Sequence, residues 1–507
     1  MKKIYRRDFL KVGASMSLSL IGSPFLRLTQ PVRKADPEKK NVLIIVFDAF
    51  SALHTSLYGY PRETTPNLTR LADRAIVYHN HYAAGNFTTS GTASLLTGVY
   101  PWKHRAFDLF RPVVQTFATK NLFHAFDDYY RIAYTHNPVA ARLLEQFSSS
   151  LDKNIPVEEF LLTNDGIVEK VFSKDDDAAS VGWDRYLKQE QGYGYSLFLS
   201  MLYRELRSSQ LTSLKSQFPR GLPSIRGDNY FTLETVVTWL SSQAERFPQP
   251  FLGYFHFIPP HQPYSTRIEF YNRFQNDGFV SMEKEEDVFS EGESIEFSLR
   301  RRQQYDEYIL YLDWEFGRLF DQLQATGLLE NTWVILTSDH GELFERGIIG
   351  HNTPVLYEPV IRVPLMIFEP GRTTRADIYD QTSAVDLLPT LLKITGGRLP
   401  EWSDGNVLSP FSNDTKPLTR NIYALDSRDT ASDSPLEEVA LMMLEGENKL
   451  VYFSGYPELN GVERVELYNI AEDPEELNNL YTAQSKVGNR LLEKIKGKLA
   501  EVNRPYQ

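Results

Sequence analysis

Residues 41–47, Asn-Val-Leu-Ile-Ile-Val-Phe, are apolar without a break from Val42 and stop on an acid, Asp48. A strand apolar on both faces has to be covered on both faces, which is the condition of a strand inside a parallel sheet. Further strands are expected at 131–135, 251–257, 332–338 and 363–368, with helical patterns between them at 229–247, 298–325 and 385–394. A helix is also expected from Pro66, with Thr65 as its N-cap. Strands alternating with helices predict an α/β fold, a doubly wound and mostly parallel sheet flanked by helices. Past residue 400 the pattern changes to short strands at 421–426, 439–444, 449–453 and 465–470 and a closing helix near 484–501. This reads as a small C-terminal antiparallel sheet plus helix. The expected organisation is a signal and linker at 1–34 and a catalytic domain at 35–400, with a polar, helix-leaning insertion at 150–228. A small α+β subdomain follows at 401–507.

Composition removes several function classes. The net charge is −12 with no basic stripe to offset it, so nucleic acid is excluded as a partner. The chain contains no cysteine, which removes disulfides, thiolate metal sites and a cysteine nucleophile together. The N-terminus stands apart from the rest. A basic start followed by Arg6, Arg7, Phe9, Leu10 and Lys11 and a modest apolar stretch resembles a twin-arginine export signal. The expected location is periplasmic or extracellular, reached in the folded state. No later segment is apolar for long enough to span a bilayer.

Ligands of an open α/β sheet bind at the carboxyl ends of its strands. Polar clusters fall at three such ends: Asp48, then His256 and His261, then Asp339 and His340, with His351 not far beyond. Residues 86–98, Asn-Phe-Thr-Thr-Ser-Gly-Thr-Ala-Ser-Leu-Leu-Thr-Gly, read as a loop that turns into a short helix ending at Gly98. Its hydroxyls lie at a helix N-terminus, where free N–H groups favour an anion. Two carboxylates, an imidazole and a hydroxyl suit one divalent cation, Ca²⁺, Mg²⁺ or Mn²⁺, with Zn²⁺ also open. Such a cation would acidify a bound hydroxyl and neutralise charge on an anionic ester.

The run from 41 to 75, the segment Thr-Ala-Ser-Leu-Leu-Thr-Gly-Val-Tyr-Pro-Trp-Lys-His, Ser-Asp-His-Gly-Glu at 338–342 and 356–368 resemble the sulfatase family of the alkaline phosphatase superfamily. Residues 465–481 resemble that family's small terminal subdomain. The resemblance implies that Asp48, Asp339 and His340 bind the metal. In that family a Cys or Ser five residues before the alanine of Ala-Ser-Leu-Leu-Thr-Gly becomes formylglycine. Here that position is Thr88, which cannot form the aldehyde and is implied to serve unmodified as nucleophile and metal ligand. Thr89 and Ser90 read as helix-cap groups. His261 and His351 match positions that contact substrate or the leaving group. Tyr357, Glu358 and Arg362 match positions expected to be structural.

The chain departs from the family pattern at several places. Ala49 stands where a second acid is usual, Thr92 replaces an arginine, and Thr135 to Pro138 replaces a lysine–histidine pair. His351 stands in for the substrate-side lysine. Phe257, four residues before His261, argues for one metal rather than two. His256, inside an apolar strand, reads as a satisfied core or supporting residue, and Lys103 and His104 as an exposed loop. The expected activity is a metal-dependent hydrolase of a sulfate or phosphate mono- or diester, with a glycan or lipid headgroup among the candidate carriers of the ester. A phosphoglycerol or phosphoethanolamine-type transferase and a non-catalytic binding protein are the alternatives. If Arg6 and Arg7 direct export, changing both to lysine leaves the protein in the cytoplasm, and cell fractionation finding it outside at the normal level would refute the route.

Overall fold

A computed structural model of the chain describes residues 39–162 except 110, residues 202, 205, 211–224 and 229–413, and residues 420–506 except 429. Arg6, Arg7 and most of the 150–228 region lie outside the described residues. The central sheet comprises β1 (Asn41–Phe47), β2 (Ile76–Tyr82), β3 (Tyr130–Thr135), β4 (Lys153–Asn154), β5 (Phe251–Phe257) and β6 (Thr332–Thr337). A hairpin of β7 (Leu343–Glu345) and β8 (Ile348–Gly350) stands apart, and β9 (Leu365–Phe368) and β10 (Ala376–Ser383) complete the sheet. The strand order is β10-β2-β9-β6-β1-β5-β3-β4. All neighbours pair parallel except β9, which runs antiparallel to both β6 and β2.

β1 lies in the middle of this order, and its side chains alternate between two cores. Leu43, Ile45 and Phe47 pack with Val236 and Leu240 of the helix Leu233–Gln243 and with Tyr308, Leu312 and Phe316 of the helix Ile295–Ala325. Val42, Ile44 and Val46 pack on the other side with Ala93, Leu95 and Leu96 of the helix Thr88–Thr97 and with Leu388 and Leu391 of the helix Leu387–Ile394. This two-sided burial is what the unbroken apolar run demanded. The sequence pattern missed β2 and β10. β2 is interrupted by His79 and Asn80, and β10 is an edge strand whose residues are mostly half-exposed, so neither carries the apolar run that marks its neighbours. Thr65 does precede the helix Pro66–Ala72, but its hydroxyl accepts from the Leu57 N–H rather than capping the helix.

The C-terminal sheet is antiparallel, β11 (Ile422–Asp426), β12 (Val439–Glu445), β13 (Asn448–Ser454) and β14 (Arg464–Asn469) in that order. One face holds Leu491 and Ile495 of the helix Ser485–Asn503, and the other packs on Val360 and Ile361. Lys449 of β13 is buried on that second face. Its Nζ lies 3.0 Å from Glu358 Oε1 and 2.7 Å from Glu476 Oε1, so one ammonium serves two buried carboxylates. Burial pushes the Glu476 carboxyl up to about 7. Removing one partner of a buried ion pair strands the other's charge. Lys449→Met is therefore expected to cost about 3–5 kcal/mol in urea unfolding. The triple variant that also carries Glu358→Gln and Glu476→Gln should recover much of that loss.

Candidate active site

Because β5 and β6 both run parallel to β1, the three strands deliver their C-terminal residues to one edge. Val46 is level with His256 on one side and Thr337 on the other, which sets Asp48 and Asp339 side by side two residues further on. Asp48, Asp339 and His340 are fully buried, and one ligand atom from each lies within 4.8 Å of the others. Among the described residues this is the one cluster of three or more such groups. His340 Nδ1 lies 2.9 Å from the Gly341 carbonyl. A carbonyl can only accept, so Nδ1 carries a proton and Nε2 is the nitrogen turned to the acids. That Nε2 is 3.4 Å from Asp48 Oδ1 and 3.8 Å from Asp339 Oδ2.

The helix Thr88–Thr97 brings its N-terminus to the same place. Gly91 makes the approach possible: a Cβ there would lie 2.2 Å from the Asp339 carbonyl oxygen. The first-turn hydroxyls then separate by direction. Thr88 Oγ1 is 3.4 Å from His340 Nε2, whereas Thr89 donates to the Leu109 carbonyl and Ser90 to the Phe87 carbonyl. Neither Thr89 nor Ser90 caps an N–H, contrary to the sequence expectation. Thr88 alone of the three meets His340.

Three of the family departures are occupied by groups that reach this cluster. Thr92 donates to Asp339 Oδ2 at 3.2 Å. Ala49 keeps no acid, but its N–H is 3.3 Å from Asp339 Oδ1, and its φ of 59° is a left-handed backbone held in place by the Tyr305 hydroxyl on its carbonyl. Asn137 had no functional reading in the sequence. Its Oδ1 caps the helix Pro138–Gln146 by accepting from Val139 N, which turns Nδ2 toward Asp48 Oδ2 and, at 3.4 Å, Thr88 Oγ1. An Asn-Pro pair just past a strand end was the available signal.

Of the two readings of His256, satisfied core residue or supporting residue, the first does not hold. Its Nε2 makes no hydrogen bond and lies 3.6 Å from both Asp48 Oδ2 and Asp339 Oδ2. The two outer histidines form a row with His340: ring centroids are 4.2 Å apart from His340 to His351 and 5.0 Å from His351 to His261. His351 Nδ1 donates to Glu342 at 3.2 Å, and His261 Nδ1 to its neighbour's carbonyl at 2.7 Å. In both rings the bonded nitrogen is Nδ1 rather than Nε2. Lys103 pairs with Asp404, and His104 is fully buried, so the exposed loop expected there is a structural one instead.

Burial alone would raise both carboxyls. At Asp48 the imidazoles of His261, His256 and His340 outweigh it and hold the group well below its ordinary range. Asp339, under burial and the Asp48 charge, is raised. Burial works against the charged form of His340, but the two aspartates prevail and raise it to about 9. His351, under burial and then repulsion by His340, falls to about 4. Donors so arranged fit a divalent cation: Asp48 Oδ1 and His256 Nε2 are buried polar atoms without a hydrogen-bond partner, turned into the cluster.

His104 anchors the helix that carries Thr88, since its ring joins Ser94 Oγ and the Ala106 N–H. Burial lowers it from 6.5 to about 3. The unfolded chain binds that proton more readily, so the stabilisation is complete above pH 6.5 and is lost as pH falls toward 3. Urea midpoints should drop between about pH 7 and pH 5, and less steeply in His104→Gln.

Comparison with known proteins bears on this arrangement. The family model described as "Sulfatase" matches residues 40–155 and 172–397, and that described as "N-sulphoglucosamine sulphohydrolase, C-terminal" matches 351–504. The multifunctional alkaline phosphatase superfamily protein PehA of Trinickia caryophylli is 26% identical over 494 residues, covering 87% of this chain and 91% of that one. The choline-sulfatase of Rhizobium meliloti is 27% identical over 472 residues, covering 87% and 82%. Among solved structures, the phosphonate monoester hydrolase of Agrobacterium radiobacter superposes with a TM-score of 0.65 at 18% identity, covering 92% and 96%. A structure described as a complex with its substrate D-glucosamine-2-N,6-O-disulfate gives 0.63 at 17% identity, covering 93% and 100%.

Proposed function

The chain belongs to the sulfatase family of the alkaline phosphatase superfamily and is a sulfuric or phosphoric ester hydrolase; we propose that it works through a covalent ester on Thr88 beside one divalent cation, and prefers phosphoryl to sulfuryl substrates. The observation that carries this is the direction of the Thr88 hydroxyl, which meets His340 Nε2 and Asn137 Nδ2 while its two neighbours bond to carbonyls. Asp48, Asp339, His340 and Thr88 would hold the cation. When bound, it would acidify the Thr88 hydroxyl and neutralise charge on the ester.

Thr88 Oγ1 forms a bond to the central atom of the ester as that atom's bond to the leaving oxygen breaks. The leaving oxygen takes a proton from His351 or His261. Water then attacks the Thr88 ester and gives a proton to the same imidazole, and the threonine oxygen leaves as the alkoxide that attacked, its own proton having passed to solvent before the first step. In the resting protein burial keeps His351 neutral. An anionic ester beside it favours the protonated ring, so acid and substrate arrive together. The hydrogen bond from Nδ1 to Glu342 fixes which nitrogen faces the ester.

The preference for phosphorus follows from the nucleophile. A formylglycine hydrate has a second hydroxyl that expels sulfate by reforming the aldehyde. A threonine ester has no such route and waits for water, which attacks phosphorus more readily than it cleaves a stable sulfate ester. Action outside the cytoplasm is part of the same proposal and rests on Arg6 and Arg7 alone.

The test is a panel of chromogenic phosphomonoesters, phosphodiesters and sulfate esters. Thr88→Ala is expected to lower kcat/KM at least about a thousandfold on the preferred substrate. Ser90→Ala, which loses one hydrogen bond, should cost about 1 kcal/mol. Equal losses in the two variants would mean that Thr88 is not the nucleophile. Rapid turnover of an unactivated sulfate ester would overturn the preference for phosphorus.

A further inference from the structure

We infer that Arg428 is a positioning residue for the ester cleavage, one that holds the loop leading to the Thr88 nucleophile against the loop that carries the His351 acid. The inference rests on the covalent, acid-assisted reading above and deepens it by bringing the C-terminal sheet into the reaction. Arg428 stands two residues past the end of β11. Its guanidinium carbon lies 4.4 Å from the centre of the Phe87 ring, and Phe87 is the N-cap residue of the helix that begins at Thr88. In the other direction Nη1 donates to the Asn352 carbonyl at 2.7 Å, and Nη2 donates to the carbonyl of His351 itself. One side chain therefore touches the residue before the nucleophile and the backbone of the acid.

The guanidinium suits this task. It is planar, its N–H groups point outward in the plane, and its face is left to lie on an aromatic ring, so stacking and hydrogen bonding do not compete. Its direction is set from its own strand end. Nε donates to Asp426 Oδ2 at 2.8 Å, and the buried Asp426 also accepts from the Tyr456 hydroxyl at 3.3 Å. The turn is tied down as well: Ser427 donates to the Glu438 carbonyl at 2.7 Å, and the Thr430 N–H to the Ser427 carbonyl at 3.1 Å. β11 in turn meets the segment leading to Thr88 where the Leu425 N–H donates to the Ala84 carbonyl at 3.0 Å.

A merely structural role needs no more than the ion pair with Asp426, which a lysine would also make. The contacts with Phe87 and with two carbonyls go beyond that. Asn86 Nδ2, 2.9 Å from the Thr353 carbonyl, ties the same two loops, so losing Arg428 loosens their spacing without separating them. Loosening is enough to matter, because a displacement of about 1 Å between reacting groups can cost about a hundredfold in rate.

In the full chain, Arg428→Ala is expected to lower kcat at least about tenfold with KM nearly unchanged, because it disturbs the alignment of bound substrate rather than its capture. The loss should grow from the nitrophenyl to the phenyl ester of the preferred acid, since the poorer leaving group depends more on proton transfer from His351. Arg428→Lys keeps a charge beside Asp426, which guards against a folding defect, and should show the same growth in milder form. Free guanidinium ion should restore part of the Arg428→Ala rate, and tetramethylammonium, a cation without N–H groups, should not. His351→Gln should show the growth too, and adding Arg428→Ala to it should not increase it further. A lowered urea midpoint with kcat unchanged overturns the inference, as does an equal loss on both esters or a further increase in the double variant. Turnover that survives Thr88→Ala would instead remove the covalent mechanism, while the growth in Arg428→Ala would still show alignment with the acid.

Discussion

Everything at this site follows from placing two carboxylates, Asp48 and Asp339, side by side and out of water. Each is fully buried, and the charge of one acts on the other. Like charges in a low dielectric repel strongly and have also lost their hydration, so the arrangement persists only where compensating groups are built around it. His340, His256, Thr92, Asn137 and the N–H groups of Ala49 and His340 all converge on these two side chains. The same concentration of negative charge that makes the site costly is what would attract a cation and, through it, an anionic ester.

The scaffold holds that cluster rigidly from several directions. The turn after β1 is kept in its left-handed conformation by Tyr305 and by the Ser338 hydroxyl on Phe50 N. The helix that carries Thr88 is brought against Asp339 by the missing side chain of Gly91 and held along its length by His104. Glu342 ties His351 to Tyr264, fixing the outer imidazole by a carboxylate that lies beyond it. The C-terminal sheet joins this assembly through the buried Lys449 and its two glutamates. Site and scaffold share one hydrogen-bonded framework, so a substitution far from Thr88 can still move its hydroxyl.

The departures from the family pattern fall together. The positions where relatives use an acid, an arginine or a lysine–histidine pair hold Ala49, Thr92 and Thr135 to Pro138. In each case a smaller or neutral group still reaches the aspartates, by a backbone N–H, a hydroxyl or a carboxamide. Where the family pattern has a substrate-side lysine, this chain has His351. Histidine charges or discharges near neutral pH, so a site built this way tunes proton transfer as well as binding.

The sequence alone determined a good deal. The apolar runs at β1, β5 and β6 marked the central parallel strands, because a strand buried on both faces leaves few polar positions in its sequence. The acids at their ends marked the edge where a site would lie, and the family spacing singled out Thr88. It could not show β2 and β10, where half-exposed residues dilute the pattern. Nor could it show that His256 is unpaired, that Asn137 reaches Asp48 and Thr88, or that His104 is buried. Those facts depend on which residues from distant segments share a point in space. His256 lies 208 positions from Asp48 and 83 from Asp339 by number, and only the register of β5 against β1 brings them within 3.6 Å. Periodicity records which face of its own strand a side chain occupies; what stands opposite is decided by the packing of the whole sheet.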